Sequence, residues 1–254
     1  MTYKILVLGV QQEDPARLLD DDRLENVRRL MDAGIYGRLE TGSATDNRSL
    51  WIALTTSLAP ESTGDPLSIQ EPTLGDHLVK AGKRSIVLGD APGAIGSTSH
   101  EPWRVVRQFL ETESWDCLQA FESAQQTGRE GGRDNPQFDD ELGQVLERLD
   151  GETIVLVVSL PSPRPVEAGP GEPPRGAFVL ASSNCPPAGE VEKTRLIDLA
   201  PTLLDLAEFD VPSTMQGRSI LADLADRLGS GQGGYAEDEE ALVRARLSGL
   251  GYLA

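Results

Sequence analysis

Two histidines, His77 and His100, are all that this 254-residue chain offers for imidazole acid–base work or metal ligation. His77 follows Asp76 inside a segment, Thr73–Ala81, whose pattern predicts a helix. It reads there as an ordinary helical histidine rather than a ligand. His100 stands in the loop Ser97-Thr98-Ser99-His100-Glu101, as either a solvated or a functional loop histidine. A catalytic triad or dinuclear metal site built on histidine has little to draw on. The run Asp20-Asp21-Asp22 precedes a helical pattern, where carboxylates complement the helix dipole. Asp22 and Glu25 have capping-box spacing, which favours a structural role over a metal site. No glycine-rich phosphate loop is present. Gly9-Val10-Gln11-Gln12-Glu13 does not fit the dinucleotide fingerprint, and no lysine follows the glycines of Gly89–Gly96. No Gly-x-Ser-x-Gly elbow occurs. Cys117 and Cys185 have no paired spacing and read as two inert thiols.

The elements that must position these residues alternate between strand and helix. Strands are predicted at Tyr3–Gly9, Tyr36–Glu40, Ser85–Gly89, Cys117–Phe121, Thr153–Ser159 and Gly176–Ser182. Helices are predicted from Asp14-Pro15 as N-cap and first turn, and over Arg23–Ala33, Ser49–Ser57, Thr73–Ala81, Trp103–Glu111, Asp139–Leu149, Leu196–Ala207 and Ser219–Leu228. Gly34 is placed just past a helix end as its C′ glycine. Gln125–Gln137 and Ser162–Arg175 read as loops. The fold class that follows is α/β, a mostly parallel central sheet with helices on both faces. Ligands of such sheets bind at the carboxyl ends of the strands. The loops after Gly9, Glu40, Phe121 and Ser159 are therefore the ones to inspect. Residues 1–228 form the α/β domain, 229–234 a glycine-rich linker, and 235–254 a C-terminal helix packing on the same domain.

Bulk composition narrows the partners. Hydrophobic residues make up 39% and charged residues 25%, the balance of an ordinary globular protein. The net charge of −18 argues against nucleic acid and anionic membrane, both polyanions. Lysine is scarce: only Lys4, Lys80, Lys83 and Lys193. Such a surface suits a high-salt cytosol, where self-repulsion is screened, or equally an acidic protein of a high-GC organism. The apolar run Ile5–Leu8 is too short for a signal-peptide core and reads as a buried strand, so a cytoplasmic location is expected.

The order of segments resembles the type I phosphodiesterase/nucleotide pyrophosphatase branch of the alkaline-phosphatase superfamily. Six stretches carry the resemblance: Val7–Pro15, Leu24–Leu39, Trp51–Gly64, Thr73–Arg84, Arg195–Leu206 with Met215-Gln216-Gly217-Arg218-Ser219, and the tail ending Leu250-Gly251-Tyr252-Leu253. The resemblance implies an alkaline-phosphatase-like fold. Active members bind two metal ions, usually zinc, and use a Thr or Ser nucleophile that forms a phospho-enzyme.

Matched position by position, the implied machinery is missing. Gln11 stands where the branch has a metal-binding Asp. Asn47 stands at the nucleophile, counted back from Trp51 and Pro60. Thr63 replaces a histidine, and Leu160-Pro161 replace Asp-His. Gln125, Arg129 and Glu172 are the nearest equivalents of the remaining ligands. Amides bind a borderline metal poorly compared with carboxylates. The reading is a catalytically inactive binding, regulatory or scaffold protein, with no catalytic residue, no metal and no cofactor. Its partner is an unknown protein, or a small phosphorylated ligand held in a vestigial cleft at Gln11, Asn47 and Arg48. The alternative is a metal-dependent phosphoesterase with a rearranged site, in which Asp14, Asp46, Asp90 or His100 act as substitute ligands and Thr45 or Ser49 as the hydroxyl. A third reading is a subunit whose linker and terminal helix dock on another chain.

Overall fold

The computed structural model describes residues 3–12, 14–42, 46–59, 71–89, 102–121, 135–161, 175–186, 189–222 and 224. The expectations at Thr45, Thr63, Asp90, His100, Gln125, Arg129 and Glu172, at the linker 229–234 and at the terminal helix lie outside these residues.

Alternation of apolar side chains builds a three-layer arrangement. Strand β1 (Lys4–Gln12) sits in the middle of an eight-stranded sheet, between β4 (Cys117–Phe121) and β5 (Thr153–Pro161). Outward from β4 comes β3 (Ser85–Gly89). Outward from β5 come β6 (Arg175–Ala181) and β2 (Gly34–Glu40), with the two-residue strands β7 (Gly189–Glu190) and β8 (Thr194–Arg195) along the far edge of β2. Only β6 runs antiparallel to its neighbours. Successive side chains of a strand point to opposite faces. Accordingly Ile5 and Val7 join one core with Ile154, Leu156 and Val158, while Leu6, Leu8 and Val10 join another with Val155 and Val157. Helices α3 (Asn47–Thr56), α4 (Leu74–Lys80) and α7 (Leu199–Leu206) cover the first face. Helices α1 (Arg17–Asp20), α2 (Glu25–Ala33), α5 (Pro102–Thr112) and α6 (Asn135–Leu146) cover the second. Burial on both faces explains why the strands read as near-continuous apolar runs. Among the described residues, no helix is long and apolar enough to cross a membrane.

The structure departs from the expected boundaries where tertiary contacts override local signals. Strand β1 continues three residues past Gly9, because Gln11 and Gln12 stay laddered to Leu160 and Pro161 of β5. Gly34 does end α2, its N–H donating to the Met31 carbonyl, but it is extended rather than left-handed as a C′ glycine would be, and it opens β2 directly. A Cβ there would sit 2.0 Å from the Leu180 carbonyl oxygen, so the glycine serves strand pairing. The Asp22–Glu25 capping box does not form. Asp22 pairs with Arg28, and the N-cap of α2 is Leu24. Asp139 supplies the cap instead, from α6: its carboxylate accepts from the Asn26 and Val27 N–H groups at 3.0 and 2.9 Å. Helix α6 begins at Asn135, earlier than its apolar pattern suggested.

Two contacts fix the helices of the first face. Trp51 lies on the backbone of β1 at Gly9, its ring centroid 4.0 Å from that of Phe121. Ser57, in the left-handed conformation, ends α3. Its hydroxyl donates to the Ile197 carbonyl at 2.7 Å and accepts from the Gly217 N–H at 3.0 Å. The 3-10 turn Leu196–Asp198 and the Gly217 segment are thereby tied to α3.

At Gly9 a Cβ would stand 2.1 Å from the Trp51 ring and 2.7 Å from Phe121. Overpacking of this kind costs about 1–3 kcal/mol or more. Gly9→Ala is expected to lower the unfolding free energy by that amount, read as a lower urea midpoint with an unchanged slope. An unaltered midpoint would mean that Trp51 does not pack on this strand.

Candidate functional site

The parallel strands β1 and β5 end together, at Gln12 and Pro161, and β4 stops three residues short of them, at Phe121 opposite Gly9. Strand β2 points the same way and ends at Glu40. Residues 41–46 then lead into α3 and span at most roughly 20 Å. The first turn of α3 therefore starts at the carboxyl end of the sheet, where α/β folds place their ligands. Gln11, Gln12, Leu160, Pro161 and the Asp46–Ser49 turn are the described residues of this region.

The strand-end amides are engaged with the protein itself. Gln11 and Gln12 are buried at 5% and 6% exposure. Ser159 donates its hydroxyl hydrogen to Gln12 Oε1 at 3.0 Å, and Gln11 Nε2 makes a longer 3.5 Å contact with the Pro161 carbonyl. Leu160 is a core residue at 1% exposure. Gln12 and Ser159 escaped the sequence reading, which ended both strands too early or looked past the serine. The signal was the apolar run continuing to Leu160, opposite Gln11.

Asp46 is the N-cap of α3. Its carboxylate accepts from the Ser49 N–H at 3.0 Å and the Ser49 hydroxyl at 2.6 Å. Partial burial alone raises this carboxyl, but the Ser49 hydroxyl and the N–H groups of Ser49 and Arg48 outweigh it and hold it below its ordinary value. A negative charge thus already occupies the positive end of the helix, where an anionic ligand would otherwise bind. Asn47 is the first residue of α3, and its backbone alone is described. Arg48 is exposed one position further on. The structure brings Asp46, Asn47, Arg48 and Ser49 into one turn at the end of the sheet that holds Gln11.

The other sequence candidates lie elsewhere. Asp14 accepts from the Ala16 N–H at 3.2 Å and shapes the entry to α1. Asp20 pairs with Arg38 at 2.9 Å, Asp21 with Arg23 at 2.8 Å, and Asp22 with Arg28. Each carboxylate of the acidic run has its own arginine. His77 is half-buried on α4, which leads into the start of β3. Burial, then the neighbouring Lys80 charge, holds its imidazole below the ordinary value. Burial pushes the Cys117 and Cys185 thiols up to about 12. Among the described residues, no group of three His, Cys, Asp or Glu side chains is placed to hold a metal ion.

No protein-family model and no curated protein sequence matches the chain. Solved structures do match. A 2-O GAG sulfatase superposes with a TM-score of 0.68 over 93% of this chain and 76% of its own, at 15% identity. A phosphonate monoester hydrolase from Silicibacter pomeroyi gives 0.64 over 93% and 78%, at 12% identity. A protein in the alkaline phosphatase superfamily from Vibrio parahaemolyticus gives 0.63 over 87% and 70%, at 19% identity. The chain has the alkaline-phosphatase fold. At these identities the likeness establishes the architecture, and the chemistry has to be argued from residues. For an alkaline-phosphatase-like metal pair, the described donor set does not fit. Gln11 offers an amide, Leu160 a buried hydrocarbon, and Pro161 no side-chain donor, whereas zinc sites take His, Cys or carboxylate.

Two measurements check these electrostatics. A thiol at about 12 instead of 9.0 has roughly a thousandfold less thiolate at pH 8. Iodoacetamide is expected to alkylate both cysteines at least about a hundredfold more slowly in the native protein than in urea; equal rates would contradict the burial. Asp46 titrates lower in the folded than in the unfolded chain, so its ionised form favours folding. That contribution is complete above its ordinary value of 3.8 and is lost as pH falls through the lower folded value. The stability gap between the protein and Asp46→Asn should therefore narrow as acid unfolding is followed below pH 3.8. A gap that widens there would reverse the sign.

Proposed function

We propose that this chain is a non-catalytic member of the alkaline-phosphatase superfamily that works as a binding, regulatory or scaffold protein. The observation that supports it most is the state of the strand ends. Gln11, Gln12, Ser159, Leu160 and Pro161 bond to one another or pack into the core, where the branch the sequence resembles holds Asp and His. At the strand ends, amides and a leucine supply no charge that would bind a metal or lower a nucleophile's pKa, and the Asp46 carboxylate of the adjoining turn is engaged with Ser49. Assignment to the phosphodiesterase/nucleotide pyrophosphatase branch rests on the six sequence segments. The neighbours in structure are named as sulfatases, a phosphonate monoester hydrolase and a superfamily protein. A small phosphorylated ligand at Gln11, Asn47 and Arg48 is the ligand reading for the strand-end cleft, with the exposed Arg48 as its cation; the burial of Gln11 and the Asp46 carboxylate on the same turn oppose it.

One observation favours the alternative, a metal-dependent phosphoesterase with a rearranged site. The Ser49 hydroxyl stands 2.6 Å from the Asp46 carboxylate, within reach of a nucleophile–base contact. Two features oppose it. Ser49 is buried at 9% exposure. A carboxylate held below its ordinary value is also a weak base for an alcohol proton.

Metal content and hydrolysis separate the two. After equilibration with zinc or manganese and desalting, the full chain is expected to retain well under one ion. Hydrolysis of a bis-aryl phosphodiester should stay at the background rate. Two retained ions, or turnover abolished by Asp46→Asn or Thr45→Ala, would establish the alternative.

A further inference from the structure

The edge of the sheet beyond β2 carries a second cleft, sharing no residue with the strand-end region. It encloses about 380 Å³, within the range of small-molecule sites, roughly 300–1,000 Å³. Its apolar wall includes Val191, Ile220 and Leu224, and its polar lining includes Thr194 and Gln216. Lys193, Arg195 and Arg218 also line it, against the carboxylates Glu192 and Asp198. Three cations converge here in a chain of net charge −18 with only four lysines.

One carboxylate holds the Arg195 guanidinium and the Arg218 backbone. Asp198 accepts from Arg195 Nη2 at 2.7 Å, from Arg195 Nε at 3.1 Å, and from the Arg195 N–H at 3.0 Å. The same carboxylate accepts from the Arg218 N–H at 3.0 Å. Asp198 thereby neutralises its own charge and joins two segments distant in sequence. Gly217 lets the second approach the 3-10 turn closely: a Cβ there would stand 1.9 Å from the Ile197 carbonyl oxygen. Among the described residues, the side chains of Lys193 and Arg218 have no hydrogen-bond or ion-pair partner. Lys193 also holds a left-handed backbone, φ 60°, which disfavours any side chain and places this one at the cleft. Glu192 is exposed at the rim. Two unpartnered cations and an oriented guanidinium over an apolar wall match a ligand with one charged and one apolar end.

We propose that this cleft binds a small amphipathic oxyanion, a phosphate or carboxylate head on an apolar body, with Lys193 and Arg218 on the head and Val191, Ile220 and Leu224 on the body. Asp198 is the positioning residue. Binding here does not depend on whether the strand-end site is catalytic.

Calorimetric titration of the full chain with phenyl phosphate, benzoate and neutral benzyl alcohol tests the proposal. At least one of the two anions is expected to bind at a single site with Kd below about 1 mM, more weakly as salt rises. Which anion binds tighter identifies the head group. Benzyl alcohol should bind at least about tenfold more weakly. Arg218→Glu and Lys193→Gly should each weaken the anion at least about tenfold, while Arg48→Glu, in the strand-end cleft, should leave it unchanged. Lys193→Gly suits the left-handed backbone, so its loss of binding cannot come from misfolding. Asp198→Asn leaves Arg195 uncompensated and so adds net positive charge to the cleft; it should steepen the salt dependence of anion binding, whereas Arg218→Glu should flatten it. Absence of saturable binding by both anions would overturn the proposal. So would equal binding in Lys193→Gly, or binding that follows Arg48.

Discussion

The packing of Trp51 on Gly9 and Phe121 is the contact on which the arrangement of this protein depends. A tryptophan can lie on a strand only where the strand has no side chain, and β1 provides that gap at its centre. The ring pair with Phe121 then fixes the helix against both β1 and β4. Because Trp51 is one turn into α3, its placement also sets where the Asp46–Ser49 turn stands relative to the strand ends. The geometry of the candidate site is thus a consequence of core packing rather than of polar contacts within the site.

Much of the fold is legible in the sequence for a simple reason. Strands buried on both faces need apolar runs, as Cys117–Phe121 has, and the outer strand Ser85–Gly89 is buried at alternate residues; both have the boundaries their composition predicts. The misreadings share a cause. Gly34 does follow the helix end, yet its extended conformation and its lack of a side chain answer to the close approach of the Leu180 carbonyl, a partner far along the chain. Asp22 and Glu25 have the spacing of a cap, yet Asp139 of another helix takes that role. Local patterns record propensity, and tertiary contacts decided these positions.

The candidate site was legible in a different way. Gln11 and the Asn47–Arg48 pair are nominated by the resemblance alone. Their engagement is not legible there, because the partners of β1, Ser159 and Pro161, come from another strand. The edge cleft shows the same limit more sharply. Lys193, Arg195 and Arg218 are unremarkable along the chain. Only Asp198, bonding to residues on both sides of α7, makes them one cluster. A lysine-poor composition raises the weight of each remaining lysine, and that was the available hint.

The Ser57 hydroxyl has a bearing on the order in which the molecule assembles. It closes the end of α3 by bonding to groups 140 and 160 residues further along the chain. During synthesis the helix therefore emerges long before the partners that complete its last turn. Contacts of such separation are costly in loop entropy and form late. Until residues 197–217 arrive, the first face of the sheet lacks α7 and leaves its apolar surface open. The nascent chain is thus most exposed to aggregation in the interval between the completion of β5 and the arrival of Gly217.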